Sequence, residues 1–179
     1  MADTLKFYII TCSDTRSKDT DEAGQKLEAL IADQGWECLE RIVETDERPF
    51  IAGALINACD NTDADIVITC GGSGLSLRDV TPDATADVAD RLVPGIAEAM
   101  RAHSVAITPF AMLSRAICAQ RGHTLIINLP GSTKAATENW EGIVAALPHA
   151  VKMMAGEGHS TQKDLSEKLA AAAARGELG

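Results

Sequence analysis

Hydrophobic positions along the chain fall into short strand-like runs that alternate with longer stretches of helical periodicity. The short runs predict strands at residues 5–12, 36–43, 65–69 and 124–129. Spaced apolar positions predict helices at residues 19–34, 46–60, from 82, 94–102 and 134–154, the last bent at Pro148. Strands that alternate with helices of this length predict an α/β protein whose parallel sheet is covered on both faces.

The expected helix starts carry ordinary capping signals. Asp46 is placed to cap the second helix. Thr81, Pro82 and Asp83 fit the cap, the first turn and the first-turn acid of a later helix, so we assign them no chemistry. Gly35 lies where the first helix should end.

Composition limits the classes of function. A chain of 179 residues is expected to form one domain, and its formal charge of -10 argues against nucleic acid or an anionic membrane as the main partner. No apolar run reaches the length of a membrane span or a signal peptide, so we expect a cytoplasmic protein. The five cysteines show no C-x-x-C pair and are interpreted as reduced thiols.

The C-terminal residues differ from the body of the chain. We expect the domain to cover residues 1–155, and residues 156–179 to form a tail with a short Ala-rich helix that ends near Arg175. Thr161 and Asp164 are spaced as in a capping box at the start of that helix.

A glycine-rich turn follows the third predicted strand. Its residues are Gly71, Gly72, Ser73 and Gly74. Such a turn between a strand and a helix exposes backbone N–H groups and can bind phosphate, although a tight turn without a ligand is an alternative. Neither G-x-x-x-x-G-K-[ST] nor G-x-G-x-x-G is present, so neither of these two phosphate-binding motifs applies.

Two charged residues follow the glycines. Arg78 can pair with phosphate oxygens, and Asp79 can lie beside phosphate when Mg²⁺ bridges the two. The alternative is that both residues form surface ion pairs of little energetic value.

Four segments, found in three stretches of the chain, carry a family resemblance. The stretch TCGGSGLSLRDVTPDAT, residues 69–85, resembles the signature of the molybdenum-cofactor proteins of the MogA/MoaB type, which include the G domain of gephyrin. The stretches ITPFAMLSRAICAQRGHTLIINLPGSTKA, residues 107–135, and TCSDTRSKDTDEAGQKL, residues 11–27, resemble further segments of that family, in the same order.

The resemblance implies a three-layer α/β/α sandwich with a mostly parallel sheet, usually assembled as a homotrimer. It also implies adenylyl transfer: the terminal phosphate of molybdopterin, a pterin dithiolene, is joined to the AMP of Mg-ATP, and pyrophosphate is released. The product would pass to a metal-insertion protein. Mg²⁺ is the implied cofactor.

The resemblance also implies site residues. Asp79 matches an aspartate tied to Mg²⁺ and catalysis. The implied substrate-binding positions are Gly71, Gly72, Ser73, Gly74, Ser13, Asp14, Ser114, Arg115, Pro130, Gly131, Ser132 and Lys134.

One departure concerns the acid that many family members carry after the second strand. The direct register places Thr45 there, and Asp46 or Glu44 would have to reach the cation from one residue away. We take Asp46 as the second catalytic and metal-binding residue. Because of this departure, a MoaB-like protein that binds molybdopterin without adenylylating it stays an alternative. A scaffold or assembly module is a separate alternative from another class of function.

Overall fold

The computed structural model describes residues 4–156. Its six-stranded sheet has the order β2-β1-β3-β6-β5-β4, and the four strands β2, β1, β3 and β6 are parallel. The strands are β1 Lys6–Cys12, β2 Glu37–Glu44, β3 Ile66–Cys70, β4 Arg91–Leu92, β5 Cys118–Arg121 and β6 Thr124–Leu129. The helices are α1 Glu22–Asp33, α2 Arg48–Asp60, α3 Thr81–Val88, α4 Pro94–Val105, α5 Thr133–Glu141 and α6 Leu147–Met154.

Helices cover both faces of the sheet, so the expected three-layer sandwich with a mostly parallel sheet is confirmed. In β1, Phe7 and Ile9 pack into a core with α1, α4, α5 and α6. Tyr8 and Ile10 on the opposite face pack into a second core with α2 and α3. Burial on both faces explains why this strand is a continuous apolar run in the sequence.

The strands β4 and β5 were not predicted from the sequence. Both run antiparallel to their sheet neighbours at one edge of the sheet. β4 has only two residues, and β5 ends in polar residues, CAQR, so neither shows the apolar run of a buried strand.

Three helix starts differ from the prediction. α1 begins at Glu22 because the buried Asp21 caps it by accepting a hydrogen bond from the Gly24 N–H at 2.9 Å. α2 is preceded by Glu47, so the assignment of Asp46 as its cap is wrong. α3 begins one residue early, with Val80 before it, so the assignment of Thr81 as its cap is also wrong.

The long helix predicted at residues 134–154 is two helices. α5 ends at Glu141 with Gly142 as its C-cap, a 3₁₀ turn covers Val144–Ala146, and α6 begins at Leu147. Pro148 lies in the first turn of α6, a position that a proline tolerates because its N–H would have no partner there, so it does not bend a continuous helix.

Two further expectations concern a membrane-spanning segment and the C-terminal tail. Within residues 4–156, no helix combines the length and apolar character that crossing a membrane requires. The Ala-rich helix expected near residues 161–175 lies outside the described residues.

The parallel strands position the candidate site. β1, β2, β3 and β6 are neighbours and point the same way, so the loops that follow them meet at one edge of the sheet. These loops begin at Ser13, Thr45, Gly71 and Pro130. The glycine turn and the loops that begin at Ser13, Thr45 and Pro130 therefore come together at this edge.

Candidate functional site

The glycine turn after β3 has a backbone that requires glycine. Gly71 and Gly72 have φ angles of 111° and 61°, in the left-handed region. A Cβ at Gly71 would collide with the Cys12 carbonyl, and one at Gly72 would collide with the Thr81 hydroxyl. The loop after β6 also approaches the turn closely, because a Cβ at Gly131 would lie 3.1 Å from the Gly71 Cα.

The hydrogen bonds of this turn leave its amides free. The Gly72 and Ser73 carbonyls accept from the Thr81 and Arg115 N–H groups at 3.0 and 2.9 Å. Among the hydrogen bonds of residues 4–156, none uses the N–H groups of Gly72, Ser73 or Gly74 as a donor. Three consecutive free amides are what an oxyanion needs from a backbone.

Buried polar atoms without a partner collect at the same place. Of the side-chain atoms in the described part of the chain, three are buried and unpaired: Asp46 Oδ1, Thr81 Oγ1 and Ser104 Oγ. The first two both lie against Gly72. The Cys12 thiol lies beside the Thr81 hydroxyl, but a thiol is a weak hydrogen-bonding group and leaves that oxygen unsatisfied.

Of Glu44, Thr45 and Asp46, the residue whose side chain reaches the turn is Asp46. Thr45 is exposed, and its hydroxyl donates to Glu44 Oε1 at 3.2 Å. Asp46 is held by a reciprocal pair with Asp14, in which each backbone N–H donates to the other carboxylate, at 3.0 and 3.2 Å. Burial raises the pKa of Asp46, and the charges of Asp14 and Asp79 add to this rise.

Asp79 borders the turn from the other side. Its Oδ2 accepts from the Ser76 N–H at 2.8 Å, and the same atom would lie 3.0 Å from a Cβ at Gly74. The structure thus brings Asp46 and Asp79 to the two sides of one glycine turn.

The two arginines of the site are engaged by protein groups. Arg78 donates to Asp14 at 2.7 Å and to Glu47 at 2.8 Å, which matches the alternative of a surface ion pair. Hydrogen bonding from Arg78 lowers the pKa of Asp14. Arg78 therefore fixes the loop that carries Asp14.

Arg115 fixes the glycine turn and does not face an open cavity. It donates to the carbonyls of Gly74 and Asp79 and to the Asp83 carboxylate, at 3.0, 2.7 and 2.6 Å. Asp83 is thus an ion-pair partner as well as a first-turn acid. Lys134 is exposed, and its Nζ lies 3.8 Å from Glu138 Oε1.

Two cavities flank the turn, and Gly72 and Gly131 line both. The larger has a volume of about 580 Å³, within the usual range for small-molecule sites. Its walls include the expected residues Gly72, Ser73, Gly74, Asp79, Ser114, Pro130 and Gly131. The smaller, of about 290 Å³, is lined by Ser13, Gly71, Gly72, Gly131 and Ser132 among others.

Several residues of the cavity walls were missed in the sequence, and four of them carry a charge or a hydroxyl that the later argument uses. Arg16 lines the smaller cavity, and Arg101, Ser104 and Glu138 line the larger one. They come from helices or loops far apart in the chain, and no local motif marks them. Only Arg16 lies within a segment of the family resemblance.

The residues present fit a shared Mg²⁺ site. Within residues 4–156, no group of three His, Cys, Asp or Glu side chains could hold a metal alone. Mg²⁺ usually takes one or two carboxylates and completes its shell with substrate phosphates and water. The unpaired Asp46 Oδ1, with Asp79 across the turn, provides such a partial site beside the free amides.

The fold and the site define an α/β protein with a two-part cleft, suited to an anion, at the carboxyl ends of its parallel strands. The family described as "Probable molybdopterin binding domain" matches residues 8–149, and the chain belongs to it.

Relatives of two kinds are similar to this chain. The molybdopterin adenylyltransferase of Helicobacter pylori is 37% identical over 157 residues, which cover 86% of this chain and 89% of that protein. The enzyme of that name from Haemophilus influenzae is 38% identical over 151 residues, 78% of this chain and 77% of that one. The crystal structure of the molybdopterin biosynthesis enzyme MoaB from Thermus thermophilus has a TM-score of 0.79 and 38% identity, covering 86% of this chain and 98% of that one.

Proposed function

We propose that this protein is a molybdopterin adenylyltransferase, which transfers AMP from Mg-ATP to the terminal phosphate of molybdopterin. One observation carries the proposal most strongly. A glycine turn with three free amides separates two cavities, and the unpaired Asp46 Oδ1 lies against it. The names of the adenylyltransferase relatives support the same reaction.

The reaction joins two anions. A terminal phosphate oxygen of molybdopterin attacks the α-phosphorus of ATP, the bond to the β-phosphate breaks, and pyrophosphate leaves. The amides of Gly72, Ser73 and Gly74 would hold phosphate between the cavities, which keeps the reacting groups in line. Ser114 and the Pro130–Gly131 loop would hold the rest of the ligand.

Asp46 and Asp79 would hold Mg²⁺ together with the substrate phosphates. When bound, the cation would neutralise the charge that develops on the leaving pyrophosphate. Asp14 would orient Asp46 through the reciprocal backbone bonds described above. Arg78 and Arg115 would not bind substrate: Arg78 positions the loop that carries Asp14, and Arg115 positions the glycine turn.

No side-chain nucleophile is needed for direct transfer. Cys12 and Cys70 lie next to the turn, but burial raises the pKa of each to about 12, so their thiolates are scarce at neutral pH. Cys70 instead donates a hydrogen bond to the Pro130 carbonyl at 3.2 Å.

A binder without transferase activity is the second candidate. It is favoured by the position of Thr45, which faces outward where many family members have an acid, and by the similarity to a MoaB structure. Release of pyrophosphate from ATP, Mg²⁺ and molybdopterin separates the two. We expect release by the parent protein and none by Asp79→Asn, which should keep molybdopterin binding. Ser114→Ala should weaken binding more than it slows the bound-state reaction.

Assembly, location and domain limits are part of the proposal. Exposed apolar side chains cluster on the end of α4 and the following 3₁₀ turn, and we propose that they contact other copies in a homotrimer. They are Val105, Ile107, Phe110, Met112 and Leu113. A sedimentation run tests the trimer. We also propose a cytoplasmic protein that passes its product to a metal-insertion protein, with a domain over residues 1–155 and a tail over 156–179.

A further inference from the structure

Helices α4 and α5 bring three polar side chains to the wall of the larger cavity, and the proposed chemistry of phosphate transfer does not use them. Arg101 and Ser104 lie on α4, and Glu138 lies on α5. The two helices pack against each other, since a Cβ at Gly142 would lie 2.9 Å from the His103 Cβ. The cavity therefore has a polar wall built by two rigid elements.

The hydrogen-bonding capacity of this wall is largely unused by the protein. The Ser104 Oγ is buried and has no partner in the described structure. The Glu138 side chain is only 16% exposed, and its nearest cation, Lys134, lies 3.8 Å away, beyond a hydrogen bond. Arg101 gives one Nη1 bond of 2.7 Å to the Ala116 carbonyl, and its other N–H groups have no acceptor in residues 4–156.

Unpaired polar groups in a cavity wall are costly in the free protein and gain partners from a ligand. A carboxylate only accepts hydrogen bonds, and its two oxygens bind best to two N–H donors that lie side by side. An arginine and a serine hydroxyl can donate to a neighbouring carbonyl oxygen. The wall thus matches a flat ring with two adjacent donors followed by an oxygen.

The 2-amino-4-oxo edge of a pterin has this arrangement, because its amino group and ring N–H stand beside its 4-oxo group. Adenine does not: its amino group stands beside a ring nitrogen whose lone pair would face the carboxylate. The chemistry of Glu138 therefore favours the pterin over the nucleotide base as the occupant of the larger cavity.

We infer that Glu138 is a specificity-determining residue that binds the amino and N–H donors of the pterin edge, while Arg101 and Ser104 bind its 4-oxo group. This inference rests on the proposed function for the choice of a pterin as substrate. It assigns the larger cavity to the pterin and leaves the smaller one, lined by Arg16 and Ser132, for part of the nucleotide.

Paired ligands test the assignment. The probes are a 6-substituted pterin monophosphate and the matching lumazine, which has an oxygen in place of the amino group; equilibrium dialysis gives both dissociation constants. We expect the parent to bind the pterin at least about tenfold more tightly, because a buried carboxylate is left opposite an oxygen in the lumazine complex. Glu138→Gln should bring the ratio close to one, since an amide can both donate and accept.

Two controls separate specificity from structure. Glu141→Gln changes an exposed carboxylate on the same helix and should keep the parental ratio. Ser104→Ala should weaken both probes equally, because both carry the 4-oxo group, and should not lower the melting temperature, because the hydroxyl has no partner to lose.

The outcomes of this test are independent of the transferase assay. A pterin preference that Glu138→Gln abolishes supports the inference even if the parent releases no pyrophosphate, in which case only the proposed transferase activity fails. An unchanged ratio in Glu138→Gln, or a parent that binds neither probe or does not distinguish them, overturns the inference even if the parent is an active transferase.

Discussion

Replacing Thr81 by valine should stabilise the free protein. The Thr81 hydroxyl is fully buried, caps no helix and has no hydrogen-bond partner among the described residues. Burying an unpaired hydroxyl costs about 1–3 kcal/mol in proteins. Valine has nearly the same shape and buries a methyl group in its place, so Thr81→Val should recover most of that cost.

The expected gain is large enough to measure. For a chain of this size, about 1 kcal/mol changes the melting temperature by roughly 2–4 °C, so the variant should melt about 2–12 °C above the parent. Thermal unfolding followed by circular dichroism measures this. AMP transfer should fall at the same time, because the hydroxyl lies against the turn proposed to hold phosphate and cation.

Thr85→Val provides a matched control on the same helix. Thr85 is equally buried, but its hydroxyl donates to the Thr81 carbonyl at 2.9 Å and accepts from Asn128 Nδ2 at 2.9 Å. The same substitution there breaks both bonds and should destabilise the protein by about 1–3 kcal/mol. If Thr81→Val melts at or below the parent, or if the two variants shift together, the argument from the unpaired hydroxyl is refuted.

Three further outcomes follow from the geometry. Asp46→Asn should lower the rate of AMP transfer at least about tenfold, because it removes a charge beside the phosphate. Thr45→Ala, which changes an exposed side chain, should leave that rate unchanged. Equal losses in the two variants would contradict the assignment of Asp46 as the catalytic acid. Gly131→Ala should push apart the two loops of the cleft and weaken ligand binding in dialysis, while Gly95→Ala, which has open space around it, should bind normally. The hydrogen bond from Arg121 lowers the pKa of Asp60 below its ordinary value of 3.8. The Arg121–Asp60 ion pair therefore stabilises the fold at pH values above 3.8, and this stabilisation is lost as the pH falls through the lowered pKa. Asp60→Asn should therefore melt below the parent at pH 7, and the difference should disappear as the pH falls below the lowered pKa of Asp60.

The parallel part of the fold could be predicted from the sequence because its strands are buried on both faces. β1, β3 and β6 are almost entirely apolar, and glycine or proline follows β3 and β6. β5 depends on pairing with β6, and the edge strand β4 depends on pairing with β5, which short polar segments do not reveal in the sequence. The same applies to the break at Gly142, where no proline marks the end of α5.

The glycine turn and Asp79 could be located by motif, and Asp46 only as a neighbour of the position where the motif has its acid, but the roles of individual side chains could not. The order Thr-Pro-Asp predicts a cap at Thr81 because it is an ordinary helix start, yet the helix begins at Thr81 itself and its hydroxyl faces Gly72. The orientation of Arg115 depends on carbonyls of a distant loop. Nothing in the sequence marks Glu138 as a cavity residue, because glutamates in helices are common on protein surfaces.

A crystal structure of the protein with Mg²⁺, molybdopterin and a non-hydrolysable ATP analogue would show directly whether the glycine turn binds phosphate. We expect phosphate against the amides of Gly72, Ser73 and Gly74, with Mg²⁺ held by that phosphate and by Asp46 or Asp79. We also expect the pterin ring in the larger cavity. Phosphates bound elsewhere, with this turn left empty, would contradict the proposed role of the turn.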